Sequence, residues 1–364
     1  LDTVKVYEIK IQAYTSQHKL PEAVKCGLHI LKKLGVNFPD KPNKRDVLLR
    51  YLRIKLTLLG KHPSTIINLE KMTDPYKLAS LRILNSMGHP TYFAAPDLFP
   101  LVVLRAVNLS IKHGNITASI QAYSGYGAIL CGGIGDIKSG FDFGNLALNL
   151  SEKLNAKSFE ARRQFVFNLM VKHWKKHIRE SLEAFEIGFQ KGLETGEFES
   201  AGGCAYFYSH YSYFAGTDLA KIKEKILMYG AIIKKLKQKL WLHRSELRLQ
   251  VILNLMGLNK NTTIITGEFF DEKKVYNLFL EANDRTGICI LHLDKVILCY
   301  LFYEFDEAVE NASITEKHLI AQLSTVVVAV FHFYDSLSQL ALFLKSPKSK
   351  QKQILRKVAK NQND

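Results

Sequence analysis

The chain has 364 residues, 47% of them hydrophobic, and 50 Lys and Arg against 34 Asp and Glu leave a formal charge of +16. That apolar share supports a large core and excludes a disordered or collagen-like chain. Nine prolines and the absence of any Ser/Gly-rich or Pro-rich stretch mark no linker, so the sequence predicts one continuous array over 1–364.

In chain order, the first signal is a hexamer, His18-Lys-Leu-Pro-Glu-Ala23, that returns as Gly135-Asp-Ile-Lys-Ser-Gly140, Gly196-Glu-Phe-Glu-Ser-Ala201 and Tyr303-Glu-Phe-Asp-Glu-Ala308. Each reads as the turn of a helical hairpin. Its first two residues close one helix and open the next, an apolar residue follows, and a small residue at the sixth place lets two backbones approach. The flanks repeat as well: Tyr14 and Cys131 precede the small residue of the first two copies, and Ile30 and Ala147 follow it, at matching distances. This is helix-pair grammar with a unit of about 34 residues.

Between these turns, Asp46 is placed to cap a helix through Val47, Leu48, Tyr51, Leu52, Leu56 and Leu59 that stops at Gly60. Asp74 and Pro75 read as an N-cap and a first helical residue. Asp97 is placed to start a helix that ends at Gly114, and Asp218 and Asp271 are similar starts. The β-branched cluster at 262–266 is short enough to be a loop. The apolar run at 319–344 is interrupted by Gln322, His332, Asp335 and Gln339, which predicts one or two buried helices and no membrane span. The expectation is an all-α fold of roughly seventeen helices, a tetratricopeptide-like superhelix, or α-solenoid of antiparallel helix pairs. The unequal spacing of the hexamers argues against a strict tetratricopeptide repeat.

Five cysteines, Cys26, Cys131, Cys204, Cys289 and Cys299, include no Cys-x-x-Cys pair and read as buried thiols in a reducing cytoplasm. The chain opens at Leu1 without a methionine or a signal-like block, which reads as a segment of something longer.

Five features invite a functional reading. The glycines of Cys131-Gly-Gly-Ile-Gly135 suggest a phosphate loop, but no strand precedes them and no Gly-Lys-Ser/Thr follows. His173 and His177 stand one helical turn apart, yet Trp174 occupies the place of a zinc protease's glutamate and two lysines lie between; surface or groove contacts are the simpler reading. In the aromatic stretch 206–214, some rings must enter the core while Tyr208 or Tyr211, with His210, face the concave surface and could stack a ligand or peptide. In Glu281-Ala-Asn-Asp-Arg-Thr286, Asp284 reads as a cap, Glu281 and Arg285 as an i,i+4 pair, and Asn283 and Arg285 as possible partner contacts. Charge concentrates at 221–240, with Lys221, Lys223, Lys234, Lys235, Lys237 and Lys239, and at 345–364. These basic stretches could meet nucleic acid or an acidic partner, or could be solvated helix faces. No Ser/His/Asp arrangement, carboxylate pair or kinase signature appears, so no catalytic, cofactor-binding or metal residue is assigned.

Six blocks occur in order: Lys71-Met-Thr-Asp-Pro-Tyr76, Ala95-Pro-Asp-Leu-Phe-Pro-Leu101, Asn145-Leu-Ala-Leu-Asn-Leu150, Val171-Lys-His-Trp-Lys-Lys-His177, Glu281-Ala-Asn-Asp-Arg-Thr286 and Phe331-His-Phe-Tyr-Asp-Ser-Leu337. Over nearly the whole chain they resemble the helical-repeat region of large bacterial multi-domain signalling kinases. The resemblance implies a parent in which a serine/threonine-kinase-like domain and an AAA-type or signal-transduction ATPase precede the repeats, and a GAF sensor and a histidine kinase follow. ATP and Mg would then belong to those flanking domains, with no cofactor in this segment. The expected role is a regulatory superhelix that binds a protein or peptide and couples it to the kinase and ATPase domains. The alternative is a free-standing binding module for peptide or nucleic acid.

Overall fold

A computed structural model describes residues 2–17, 19–59, 63–156 and 160–363. Among them are eighteen α-helices, a few short 3-10 and π turns, and no strand beyond two isolated bridges. The fold is all-α. Contacts group the chain into two compact units, Leu1–His177 with Gln190–Glu197, and Ile178–Phe189 with Phe198–Asp364.

The first unit contains α1 (Asp2–Ser16), α2 (Leu20–Lys33), α3 (Lys44–Thr57), the single turn α4 (Pro63–Ile66), α5 (Pro75–Ala94), α6 (Phe99–His113), α7 (Thr117–Ala128), α8 (Ile137–Lys153) and α9 (Glu160–Met170). Each long helix packs mainly on its neighbours in sequence, α1 on α2, α5 on α6, α6 on α7 and α7 on α8, while α2 packs on α5 and α3 covers α6. Short connections make such neighbours antiparallel, the packing scheme of helix-pair arrays. A continuous core runs through Ile11, Leu31, Leu81, Leu101 and Tyr123, all fully buried.

Helix α10 (Leu182–Thr195) contributes to the second unit through Phe189 and to the first from Gln190. The second unit continues with α11 (Phe198–Phe214), α12 (Leu219–Lys235), α13 (Lys239–Leu255), α14 (Glu272–Glu281), α15 (Arg285–Leu301), α16 (Phe305–His318), α17 (Val326–Ala341) and α18 (Lys348–Asn363). Again sequence neighbours pack together, α11 with α12, α12 with α13, α15 with α16, α16 with α17 and α17 with α18.

The hexamers are hairpin turns. Gly135, Gly196 and Tyr303 take left-handed backbone conformations at the ends of helices, and Asp136 and Glu304 are the N-cap residues that follow. Lys19 and Ala23 keep the pattern in the first copy, whose His18 lies outside the described residues. Ala23, Ala201 and Ala308 are fully buried, as are Ile30, Cys131 and Ala147 on the flanks. At Gly140 an added Cβ would lie 2.8 Å from the carbonyl oxygen of Gly127 and closer still to Cys131 Sγ, so α7 and α8 meet there at backbone distance. The glycine-rich stretch before it is a π-helical turn, Ile129–Ile134, which continues α7 and answers the phosphate-loop reading.

Two expected helix starts are corrected. Asn43, not Asp46, caps α3: its side chain accepts from the Arg45 and Asp46 N–H groups, and Asp46 returns a carboxylate to the Asn43 N–H at 3.1 Å. Asp97 caps nothing, because α6 begins at Phe99 after Leu98 and Pro100 supplies the helical φ of its first turn. The expected stop at Gly60 lies outside the described residues. By contrast Asp74, Asp218, Asp271 and Asp284 all accept first-turn N–H groups as N-caps, which satisfies donors that the helix itself leaves unpaired. The 319–344 run is a 3-10 turn, Leu319–Gln322, followed by α17. Its buried Asp335 accepts from Asn361 of α18 at 2.8 Å, but Phe333 on the same helix is 59% exposed, so the helix is only half buried. Among the described residues no helix is long and apolar enough to cross a membrane.

Candidate functional site

The most heavily charged interior of the molecule lies in the second unit, where α11, α13 and α15 meet. Arg244 and Arg248 stand one turn apart on α13, in line with the buried Trp241 and Ile252, so the helix places both guanidinium groups on its core face. Arg244 Nη2 donates to both carboxylate oxygens of Asp284 at 3.0 Å, and Asp284 also accepts the Gly287 N–H at 2.9 Å as the cap of α15. Arg248 Nη1 donates to Asp294 Oδ1 at 2.9 Å, with both side chains 1% exposed. Its Nη2 lies 2.8 Å from His210 Nδ1, and the Tyr206 hydroxyl is 3.2 Å from the same nitrogen. A guanidinium can only donate, so Nδ1 is the acceptor and the ring carries its proton on Nε2. Tyr213 and Trp241 offer ring faces to Arg248 and Arg244 at 4.7 Å and 5.2 Å.

The electrostatics follow from burial and proximity. Desolvation, reinforced by Arg248 and Arg244, holds His210 well below the ordinary histidine value, so it is neutral. Burial pushes the Asp294 carboxyl up to about 6 against the pull of Arg248, and pushes the Tyr206 phenol up to about 12. Such a cluster ties three helices in one register: paired charges are tolerated inside, while any slip would leave one bare. Sequence reasoning did not single out Arg244, Arg248 or Asp294. The available signal was two arginines at core-face spacing between Trp241 and Ile252.

The residues singled out from sequence fall in different settings. His210 and Tyr211 are fully buried, which corrects the expectation that they face a surface; Tyr211 packs edge-on against Phe185 at 5.3 Å. Tyr208 is half-buried, edge-on to Tyr229 at 5.8 Å, and Lys225 sits 5.3 Å above its ring while paired to Glu186 at 2.6 Å. His173 and His177 do not share a helical face, because α9 ends at Met170 and a 3-10 turn, Lys172–Trp174, follows. His173 stacks near Trp174 at 5.5 Å, and burial depresses it to about 4. Trp174 and His177 are exposed. These three belong to the first unit, and Tyr208 belongs to the second.

Asn283 is exposed with φ of +50°, the left-handed residue between α14 and α15, and asparagine tolerates that conformation. The same break places Glu281 and Arg285 on separate helices, and among the described residues they form no ion pair. Lys221, Lys234, Lys235, Lys237 and Lys239 are exposed and Lys223 is half-buried; none of the six makes an ion pair among the described residues. In the C-terminal stretch, Lys357 and Lys360 are engaged with Glu316 at 2.7 Å and 3.2 Å.

The first unit has a cleft of about 620 Å³ between α2 and the segment after it, lined by Val24, Leu28, Val36, Phe38 and Leu98 with Lys32 at its side. All five cysteines are free and buried, with Cys131 and Cys299 raised to about 12 by burial. Among the described residues no group of three or more His, Cys, Asp and Glu is placed to hold a metal ion. No family model matches the chain, and no curated protein matches it.

Proposed function

We propose that this chain is a regulatory and scaffolding helix-pair array of an ATP-dependent multi-domain signalling kinase, acting in the cytoplasm. It binds a protein or peptide ligand and biases the ATPase and kinase domains attached to it. The observation that carries this reading is the hairpin-turn grammar, realised as successive packed helices in each unit, together with the ordered sequence blocks of the resemblance. Arrays of this kind present extended faces suited to recognition. ATP and Mg are assigned to the flanking domains of the parent.

Regulation of this sort requires a ligand that distinguishes two states of the parent. Moving an equilibrium from 1:99 to 99:1 takes about 10⁴-fold differential affinity. The test is deletion of the segment from the parent reading frame with phosphotransfer measured with and without the inducing stimulus. Loss of the response, or a changed basal rate, is expected; an unchanged response together with an unchanged basal rate overturns the reading.

The exposed lysines of α12 and its following turn favour a second reading, a binding module for nucleic acid. Its measurement is a salt titration of RNA binding: affinity should fall steeply with salt, and Lys234→Glu with Lys235→Glu should weaken it.

A further inference from the structure

Helix α3 is apolar on both sides. Its inner face carries buried Tyr51 and Ile54, with Val47 and Leu58 packed against the core. Its outer face carries Leu48, Leu49, Leu52 and Leu56, and Leu59 follows in the turn that ends the helix, each between 46% and 72% exposed. At 100° per residue the four leucines of the helix fall within one stripe about 100° wide, on the side away from the buried residues. Isolated exposed leucines need no explanation, but a stripe of four on one helix, continued by Leu59, does.

The spacing and the charges narrow the occupant. Leu49, Leu52, Leu56 and Leu59 follow a 3-4-3 spacing, the a/d seam of a two-helix coiled coil. A lipid surface asks only for an apolar face and not for that register. In the same frame Arg53 and Lys55 take the e and g positions, and Lys44 and Arg45 stand exposed at the N-terminal end. Asp46, the acid of this helix, is held in the capping box with Asn43. Lys55 has a neighbour in Asp136 at 3.5 Å, but the lysine stays 53% exposed. Arg50 leans away, over the Phe38 ring at 5.6 Å. A second copy of α3 laid antiparallel on the seam would set Arg53 against Arg53, so like charges oppose self-pairing.

We propose that the outer face of α3 is a docking seam for a single amphipathic helix of a protein partner, with leucine-like residues at a and d and acidic residues at e and g. This deepens the scaffold reading, naming the surface and the chemistry of its ligand. The partner helix lies along α3, buries the five leucines and places carboxylates beside Arg53 and Lys55.

The experiment uses the full chain and two labelled synthetic helices of about three heptads, both with Leu at a and d, one with Glu and one with Lys at e and g. Fluorescence anisotropy should show saturable binding of the Glu helix and at least about tenfold weaker binding of the Lys helix. Leu52→Asp with Leu56→Asp should abolish binding, and Arg53→Glu with Lys55→Glu should reverse the preference. These positions are exposed, so circular dichroism should report unchanged helicity. Failure to bind the Glu helix, or equal binding of both helices, overturns the proposal. Two further results also overturn it by naming another occupant: a wild-type dimer in sedimentation that Leu56→Asp dissolves, or leucine-dependent binding to phosphatidylcholine vesicles with about 30% phosphatidylserine in place of the Glu helix. Failure here leaves the deletion experiment on the parent standing, and a null deletion leaves the seam measurable in the isolated chain.

Discussion

At the scale of single residues, the buried charges of the second unit make the sharpest demands. Asp294→Asn removes the partner of a guanidinium that is 1% exposed, and should destabilise the chain by about 3–5 kcal/mol, read from urea unfolding. Replacing both members, Arg248→Met with Asp294→Leu, should recover most of that loss, because no bare charge remains inside. His210 contributes to the pH behaviour in the same sense as His173, His292 and His318, which burial also holds below the ordinary histidine value. Its folded pKa lies below its ordinary 6.5, so its contribution is present above 6.5 and is lost as pH falls, by up to about 1.4 kcal/mol per pH unit. Asp294 works in the opposite sense. Its folded pKa is raised from 3.8 to about 6, so its stabilising contribution is present below 3.8 and is lost as pH rises through about 6. These lowered histidines outweigh Asp294, so melting temperature should decline as pH falls from 7 to 6, and His210→Gln, which keeps an acceptor for Arg248, should lessen that decline and leave the share of the other histidines in place.

At the scale of elements, the hairpin turn separates two uses of glycine. Gly135 has φ of +81° with nothing within 4 Å of its missing Cβ, so Gly135→Ala meets only backbone strain, about 1–2 kcal/mol. Gly140 sits against the Gly127 carbonyl and Cys131, so Gly140→Ala must push α7 from α8 and should cost about 2–3 kcal/mol. Chemical denaturation of the two variants should rank Gly140→Ala as the less stable; the reverse order would mean that the two helices yield easily. The turn at Asn283-Asp284 belongs to the same class, a left-handed residue followed by an N-cap, although its sequence departs from the hexamer.

At the scale of the whole molecule, the boundary between the units does not fall at one place in the chain. Residues Gln190–Glu197 group with the first unit although Ile178–Phe189 precedes them in the second. Glu197 accepts the Arg162 backbone N–H at 3.4 Å, and Arg162 in turn donates to Gln121 at 3.2 Å. A fragment of residues 1–197 should therefore unfold at higher urea than one of residues 1–177. Equal midpoints would show that the returning segment adds nothing to the first unit.

What the sequence determined by itself is local. Helical periodicity, the hexamer turns and the aspartate caps at 74, 218, 271 and 284 depend on residues within a few positions of one another, and so the all-α class and most hairpins were legible. The errors at Asp46 and Asp97 are also local: Asn43 stood three residues ahead of Asp46, and Pro100 pre-set a first turn without a side-chain cap. Tertiary structure decided the sidedness of the helices. Aromatics cover most of the circumference of α11, so its sequence could not say that Tyr211 and His210 turn inward while Tyr208 stays half-buried. Arg244 finds Asp284 across 40 residues and Arg248 finds Asp294 across 46, pairings that no local pattern encodes. The leucines of α3 show the same limit: their helical spacing does not say which side meets the core, and only packing against α6 leaves Leu48, Leu52 and Leu56 on the outward side.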